Sequence, residues 1–223
     1  MIPARNSSAA APPDPAPSRF DLNAADWDSN PDRAALAMAV SNCIRESLPL
    51  DPSMRVMDYG AGTGLVALQI LPVVGEVVAV DTSREMLKVL TQKLVAAKIR
   101  KVTTAHCDLQ REPFTGAAFD VVVSSMTLHH IKDVAVVLGR LHAALKPGGW
   151  LAAADLDPDG GTFHPDPTGV EHPGFDRAWL KQLMMKIGFV NVSDRTAHRL
   201  AREGAGGVVR EYGVFLITAQ ASC

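Results

Sequence analysis

Cysteine is scarce in this chain of 223 residues. Cys43, Cys107 and Cys223 stand far apart, with neither the rhythm of a metal-binding knuckle nor the even count of a disulfide framework. A reducing cytoplasm is the expected compartment. Long apolar runs are also missing: none approaches the ~20 residues needed to cross a bilayer. The first residues hold Arg5 followed by Ser, Ala and Pro, without the apolar core of a signal segment. A secreted or membrane-spanning protein is therefore not expected. Nor is charge of one sign in excess. Lys and Arg number 22 against 24 Asp and Glu, a net charge of -2, so there is no broad cationic field to hold a phosphate backbone, and nucleic acid is a disfavoured partner. What is present is 47% hydrophobic against 21% charged residues, in a length that suits one α/β domain.

Residues 1 to 18 are rich in Pro, Ala and Ser, so burial cannot offset the entropy of ordering them, and they read as a flexible tail ahead of a single domain over 19 to 223. A short polar stretch containing Trp27 runs from Phe20 to Asp32. Ala34, Leu36, Ala37, Val40 and Ile44 then recur at helical spacing, which makes 19 to 50 an N-terminal helical segment. Apolar strands follow at 55 to 58, 76 to 81, 101 to 107, 119 to 125 and 150 to 156, with helices between them at 64 to 71, 83 to 97 and 133 to 145. The run Val121, Val122, Val123 demands cover on both faces, as in a parallel sheet. Lys146-Pro147-Gly148-Gly149 reads as a stop and tight turn. Right-handed crossovers make this alternation a doubly wound sheet with helices on both faces, and ligands of such sheets lie outside the carboxyl ends of the strands. Pro158 to Phe175, with four prolines and four glycines, breaks the pattern and reads as a substrate loop on that edge. A helix over 176 to 187 and two strands over 190 to 198 and 208 to 220, joined across Gly204-Ala205-Gly206-Gly207, end the chain. The expected fold is α/β, a mostly parallel seven-stranded sheet with a C-terminal antiparallel hairpin.

Gly60, Gly62 and Gly64 follow the first strand and open a helix, where residues without Cβ permit positive φ and close approach of a ligand to the backbone. Asp58 stands two residues before the first glycine. Asp81 ends the next strand about 20 residues on, where a carboxylate accepts from the two hydroxyls of a ribose. That arrangement suits a dinucleotide as well as an adenosyl sulfonium. By itself it leaves a NAD-dependent oxidoreductase and a methyltransferase both open.

Five ordered segments carry the distinction. Val56-Met57-Asp58-Tyr59-Gly60-Ala61-Gly62-Thr63-Gly64, Val80-Asp81-Thr82-Ser83-Arg84-Glu85-Met86-Leu87, Cys107-Asp108-Leu109, Phe119-Asp120-Val121-Val122 and Leu145-Lys146-Pro147-Gly148-Gly149 resemble, in order and spacing, the motifs of class I S-adenosylmethionine-dependent methyltransferases, and the small-molecule branch most. The resemblance implies S-adenosylmethionine as cofactor. Gly60, Ala61, Gly62 and Gly64 would lie under its amino acid and ribose, with Asp58 close by, and Asp81 with neighbouring Thr82 would hold the ribose hydroxyls. Asp108 would hold the adenine amino group, Leu109 would lend an amide, and Met86 would pack on the adenine face. Ser125 and Met126 would meet the methionine moiety, and Trp27 would belong to a segment that closes over the cofactor. Each residue also has a structural reading: Asp81 as a helix cap, Asp108 as a turn residue, Met86 and Trp27 as core.

Methyl transfer requires a positioned nucleophile, exclusion of water and, for a weak nucleophile, a base. Candidates on the ligand edge are His129 and His130 at the end of the fourth strand, Asp155 and Asp157 at the end of the fifth, and His164 and His172 in the long loop. The loop residue His164 has no core role to fill and is the leading one. Asp155 and Asp157, two apart, could anchor a divalent metal with a histidine, but solvated carboxylates are common at strand ends and no metal is expected. Ser124-Ser125-Met126-Thr127 differs from the acidic or Asn residue followed by Pro-Pro and an aromatic that marks nucleobase amino methylation in the family. A small-molecule acceptor methylated at O, S or N is therefore expected, with the protein a monomer or homodimer. A non-catalytic adaptor that binds the same cofactor stays open.

Overall fold

The computed structural model describes residues 17–203 and 209–222. The stretch 1 to 16, the proposed turn at 204 to 207 and Cys223 lie outside the described residues. The chain opens with helix α1 (Arg19–Asn23), a single-turn 3-10 helix at Trp27–Ser29, and helix α2 (Pro31–Ser47). The polar stretch from 20 to 32 thus holds more structure than its composition suggests. Ser18 and Asp21 form a reciprocal capping box, and Asn30 caps α2 with Pro31 in the first turn, where its missing N–H costs nothing.

The alternating part comprises β1 (Arg55–Tyr59), α3 (Leu65–Ile70), β2 (Glu76–Asp81), α4 (Arg84–Ala96), β3 (Val102–His106), β4 (Phe119–Ser125), α5 (Val134–Ala144) and β5 (Leu145–Leu156). Helix α6 (Arg177–Ile187), β6 (Phe189–Glu203) and β7 (Val209–Ala221) complete it. The sheet has the order β3-β2-β1-β4-β5-β7-β6. The first five strands are parallel, and β7 runs antiparallel between β5 and β6. Strand β5 begins at Leu145 and not at Trp150: Phe119 pairs with Leu145, the register shifts, and Val121 resumes with Trp150, so the Pro-Gly-Gly turn is an irregularity inside the strand.

Alternate residues of β1 and β4 feed opposite faces. Val56, Val121 and Val123 pack with α2, α3 and α4 through Val40, Ile44, Ile70 and Leu90. Met57 and Val122 pack with α5 and α6 through Leu138, Leu141, Leu180 and Met184. Both faces are therefore closed, and each fully buried valine is worth roughly 1.5 to 3 kcal/mol of transfer free energy. Order reverses between β1 and β4, so α3 and α5 leave on opposite sides and open a crevice at the carboxyl ends.

The loop from 158 to 175 has no helix or strand, yet it is tied down. Phe163 is buried against Tyr212 at 5.3 Å, the Tyr212 hydroxyl donates to the Thr162 carbonyl at 3.0 Å, and the Phe175 amide donates to Leu156 O at 2.8 Å. Among the described residues no helix is long and apolar enough to cross a membrane.

Candidate active site

The crevice is lined at one end by main chain. Gly60, Gly62 and Gly64 all take positive φ, at 74°, 53° and 83°. A Cβ on Gly60 would fall 2.1 Å from Thr127 Oγ1, and one on Gly64 would fall 2.4 Å from a Leu90 methyl, so the turn closes only on glycine. On Gly62 the same atom would meet nothing nearer than Met86 Sδ at 3.9 Å, which leaves a shallow cradle over the buried methionine. The turn is hung on β2: the Gly60 and Ala61 amides donate to Val80 O at 2.8 and 3.1 Å. The Gly62 amide donates to Asp81 Oδ2 at 2.8 Å and the Ser83 amide to Asp81 Oδ1 at 2.8 Å. Ser83 caps α4 through the Met86 amide, so Asp81 is not that helix's cap. Each Asp81 oxygen keeps acceptor capacity after its one amide bond. Burial pushes the Asp81 carboxyl above its ordinary value, outweighing the amides that favour the charged form.

Asp58 lies beneath the turn and is fully buried. Burial raises its pKa to about 7, the Ala67 amide opposes that, and the Asp81 charge adds to the rise. Among the described residues no group donates to its Oδ2. A buried carboxylate oxygen without a partner calls for a proton or a cationic group. Together with the cradle over Met86 and the open acceptor positions of Asp81, this donor and acceptor set fits an adenosyl group carrying a ribose and an ammonium.

The N-terminal segment crosses this end. The Thr63 hydroxyl donates to Asp28 Oδ1 at 2.6 Å, and Lys93 pairs with Asp28 while donating to Thr63 O at 2.8 Å. The Ser83 hydroxyl donates to Asp21 Oδ1 at 2.6 Å. Trp27 is half-buried, with the Arg33 guanidinium 3.7 Å from its ring centre and Phe20 at 5.9 Å. It does not belong to the buried core. Arg19 reaches on to the loop and donates to Thr168 O at 2.9 Å and Asp166 O at 3.3 Å, so segment and loop are fastened to each other.

At the other end, side chains converge. Ser125 ends β4, and Met126 takes φ 55° with its amide on Ala154 O at 2.9 Å, a left-handed residue at the switch point. A single 3-10 turn, Leu128–His130, then presents both histidines. His129, fully buried, donates from Nδ1 to Asp155 Oδ1 at 2.7 Å, and its Nε2 lies 3.1 Å from His164 Nε2. His130 donates from Nδ1 to Gly169 O at 2.6 Å and carries Phe20 edge-on at 5.0 Å. Burial would raise Asp155, but the charge and hydrogen bonds of His129, with the Leu156 amide, hold it below the usual carboxylate range. Burial and the neighbouring His129 push His164 down to about 4 and His130 to about 3, so both are neutral at pH 7.

Residues 57–153 match the family described as a methyltransferase domain. Among curated proteins, an uncharacterised methyltransferase of Schizosaccharomyces pombe is 37% identical over 136 residues, 54% of this chain and 48% of that protein. A ubiquinone/menaquinone biosynthesis C-methyltransferase of Coxiella burnetii is 26% identical over 188 residues, 81% of this chain and 71% of that one. The chain spans about half the length of the first curated relatives it matches. Of solved structures, the putative methyltransferase of Haloferax volcanii, in complex with the activator Trm112, superposes with TM-score 0.72 at 16% identity, over 94% of this chain and 100% of that one. A SAM-dependent methyltransferase of Aquifex aeolicus gives 0.67 at 19%, over 90% and 98%. The fold is the Rossmann-like methyltransferase fold, with the antiparallel β7 in place of the repeated strand and helix of a dinucleotide-binding half.

The residues expected from sequence divide into three groups. Asp58, Gly60, Ala61, Gly62, Gly64, Asp81 and Met86 come together around the turn, with Thr82 exposed beside them and its carbonyl bonded to His106. Asp108 stands at the end of β3, where it also acts as a turn residue: Oδ1 accepts from the Gln110 amide at 2.9 Å, and Arg111 pairs with Oδ2 at 3.3 Å. Leu109 is fully buried behind it. His129, His130 and His164 meet. Asp157 does not join them. It lies beyond the end of β5 and is gripped by Arg177, with Nε and Nη2 each 2.6 Å from a carboxylate oxygen, so it is withdrawn as a catalytic candidate. The pairing of Asp155 and Asp157 as a metal anchor fails for the same reason, since each carboxylate has its own cationic or imidazole partner. His172 is spent on Ile131 O at 2.9 Å. Asp120 is structural, accepting from the Arg55 amide and pairing with Lys146. Asp155 was a candidate at the strand end, but its role as the hydrogen-bond partner of His129 was not read from sequence, although the register Ser125 to Ala154 places it beside the histidine turn. Asp28, Asp21 and Lys93 carried no sequence signal.

Proposed function

We propose that this chain transfers a methyl group from S-adenosylmethionine to a small molecule, and that Asp155, His129 and His164 manage the proton of the acceptor. The Asp81 carboxylate carries the cofactor half of this reading, fixed by amides from both the glycine turn and α4 with acceptor capacity left for two ribose hydroxyls. Asp58 would face the cofactor's ammonium, and Asp108, Leu109 and Met86 its adenine. When bound, the cofactor supplies an electrophilic methyl whose sulfur leaves with the bond pair. The protein's own work is to hold the acceptor in line, exclude water and take up a proton. The N-terminal segment and the loop, joined through Arg19, provide the cover.

In the neutral form of His129, Nδ1–H is held by Asp155 and Nε2 has a lone pair, to which the neutral His164 donates from Nε2. A proton gained by His164 at its other nitrogen can be relayed from Nε2 to His129, where Asp155 stabilises the imidazolium. This chain of groups suits an acceptor that must lose a proton, such as a phenol, an enol or an acidic hydroxyl. The Coxiella burnetii relative bears a C-methyltransferase name, and an enolate or phenolate carries nucleophilic character on carbon as well as oxygen, so carbon joins oxygen, sulfur and nitrogen as the atom methylated. Two buried free thiols, Cys43 and Cys107, support a reducing, cytoplasmic setting.

The test is transfer of labelled methyl to a panel of thiols, phenols, amines, carboxylates and carbon acids. We expect turnover with an acceptor of acidic proton, and in His164→Ala a lower rate with unchanged cofactor affinity. A full rate in that variant would return His164 to a packing role.

A further inference from the structure

The acceptor end has a feature that proton transfer does not require: three imidazoles from two separate segments turn toward one point. One nitrogen each of His129, His130 and His164 lies within 4.8 Å of the others. We propose that these three histidines bind a divalent transition cation of the zinc class, with Asp155 and the Gly169 carbonyl as the groups that orient them. The inference deepens the proposed function by giving the acceptor end a Lewis acid, which takes the place of the His164-to-His129 proton relay because the same Nε2 lone pairs would hold the cation, and it rests on that reading only for what the cation would act on.

The chemistry of the three rings supports it. A metal-ligating histidine characteristically donates its other N–H to a carboxylate or carbonyl, which fixes the tautomer and leaves the lone pair for the metal. His129 Nδ1 faces Asp155 Oδ1 at 2.7 Å, and His130 Nδ1 donates to Gly169 O at 2.6 Å. Two of the three rings thus already have the outer partner a ligand needs. The His129 Asp155 pair is fully buried, so its orientation is not averaged by solvent. Tetrahedral zinc with bonds of about 2.0 to 2.1 Å sets its nitrogens about 3.3 Å apart. His129 Nε2 and His164 Nε2, at 3.1 Å, have nearly that spacing. The third nitrogen, that of His130, must close by no more than about 1.5 Å. No carboxylate joins the inner set, since Asp155 is engaged with His129 and Asp157 with Arg177.

Three histidines leave a fourth position open, the pattern of a catalytic and not a structural zinc site. An acceptor hydroxyl or phenol bound there would have its pKa lowered, its proton passing to solvent and the oxyanion remaining on the cation for methylation. This reverses the sequence expectation that no metal is involved, and it replaces the carboxylate pair considered there with imidazoles.

The experiment is titration of the full, untagged chain, first freed of metal by chelator, with Co(II) as a spectroscopic stand-in for zinc. We expect one equivalent bound with the visible d–d absorption of a four- or five-coordinate nitrogen and oxygen site. His164→Ala should weaken binding at least tenfold, and Asp155→Asn by ten- to a hundredfold through the misoriented His129. His198→Ala should change nothing. His164 stands in a loop, so its variant keeps the core, and its far-UV circular dichroism should match the parent. No binding at tenfold excess, equal affinity in His164→Ala, or a sulfur-to-cobalt charge-transfer band would each overturn the site. Calorimetry with S-adenosylhomocysteine on the same preparation separates the two readings. Cofactor binding without cobalt rejects the cation alone, and cobalt binding without the cofactor rejects the methyltransferase reading alone.

Discussion

At the ends of β1 to β3 the crevice is made of main chain, whereas at the ends of β4 and β5 it is made of side chains. The first region depends on glycine φ values and on amides that hang the turn from Val80 and Asp81. The second depends on His129, Asp155 and His164, which meet although the last two stand 26 and 35 positions from the first. Backbone geometry of this kind tolerates no substitution but serves any acceptor. A side-chain cluster on a loop can be rebuilt for a new acceptor without disturbing the cofactor. On the proposed function, cofactor binding falls on one side of the switch point and acceptor specificity on the other.

The comparison can be broken at its rigid side first. Gly60→Ala places a methyl against Thr127 at a left-handed position, and we expect about 3 kcal/mol or more of lost stability and no measurable cofactor binding, checked by urea unfolding and calorimetry. A tolerated alanine would mean that the turn is not the rigid half. On the other side, Asp155→Asn should lower turnover by roughly 10² to 10⁴ while leaving S-adenosylhomocysteine affinity within about twofold. If affinity falls in step with rate, the two ends are not separate.

A third experiment sharpens the role of Asp58. Its pKa, raised to about 7 by burial, exceeds the unfolded value of 3.8, so the stability it contributes is complete below about 3.8 and is lost as pH rises through 7. Asp58→Asn should therefore stabilise the cofactor-free protein by a few kcal/mol at pH 8 and by little at pH 4, and should weaken the cofactor. Thermal melts across that range decide it, and a pH-independent difference would place the carboxylate elsewhere in the account. The smallest effect is expected at Asp157→Asn. Its ion pair with Arg177 is partly exposed, so the loss should stay below about 1 kcal/mol and shrink in high salt, with turnover unaltered.

The same division governs what could be read in advance. Strand and helix alternation, the two-sided burial of Val121 to Val123 and the antiparallel ending follow from local pattern, and they were legible to within a few residues. So was the glycine turn with the acid bonded to it, because glycine at a strand-to-helix turn and an acid at the next strand's end are local constraints. The histidine cluster was legible only as a set of candidates. Which nitrogen faces which oxygen depends on the β4 to β5 register and on a loop without periodicity, and Asp157 passed for a member until Arg177 was seen to hold it. The cover over the glycine turn was least legible. Asp21 and Asp28 look like any solvated carboxylate until Ser83, Thr63 and Lys93 arrive from 35 to 65 residues away.

The central claim is that Asp81 and the glycine turn bind an adenosyl cofactor. Its most direct test is calorimetry of S-adenosylhomocysteine with the parent chain and with Asp81→Ala, both confirmed folded by their melting curves. The account predicts one-to-one binding to the parent, none of NADH, and an affinity at least a hundredfold lower in the variant. Equal affinity in Asp81→Ala, or a parent that takes NADH instead, would contradict it.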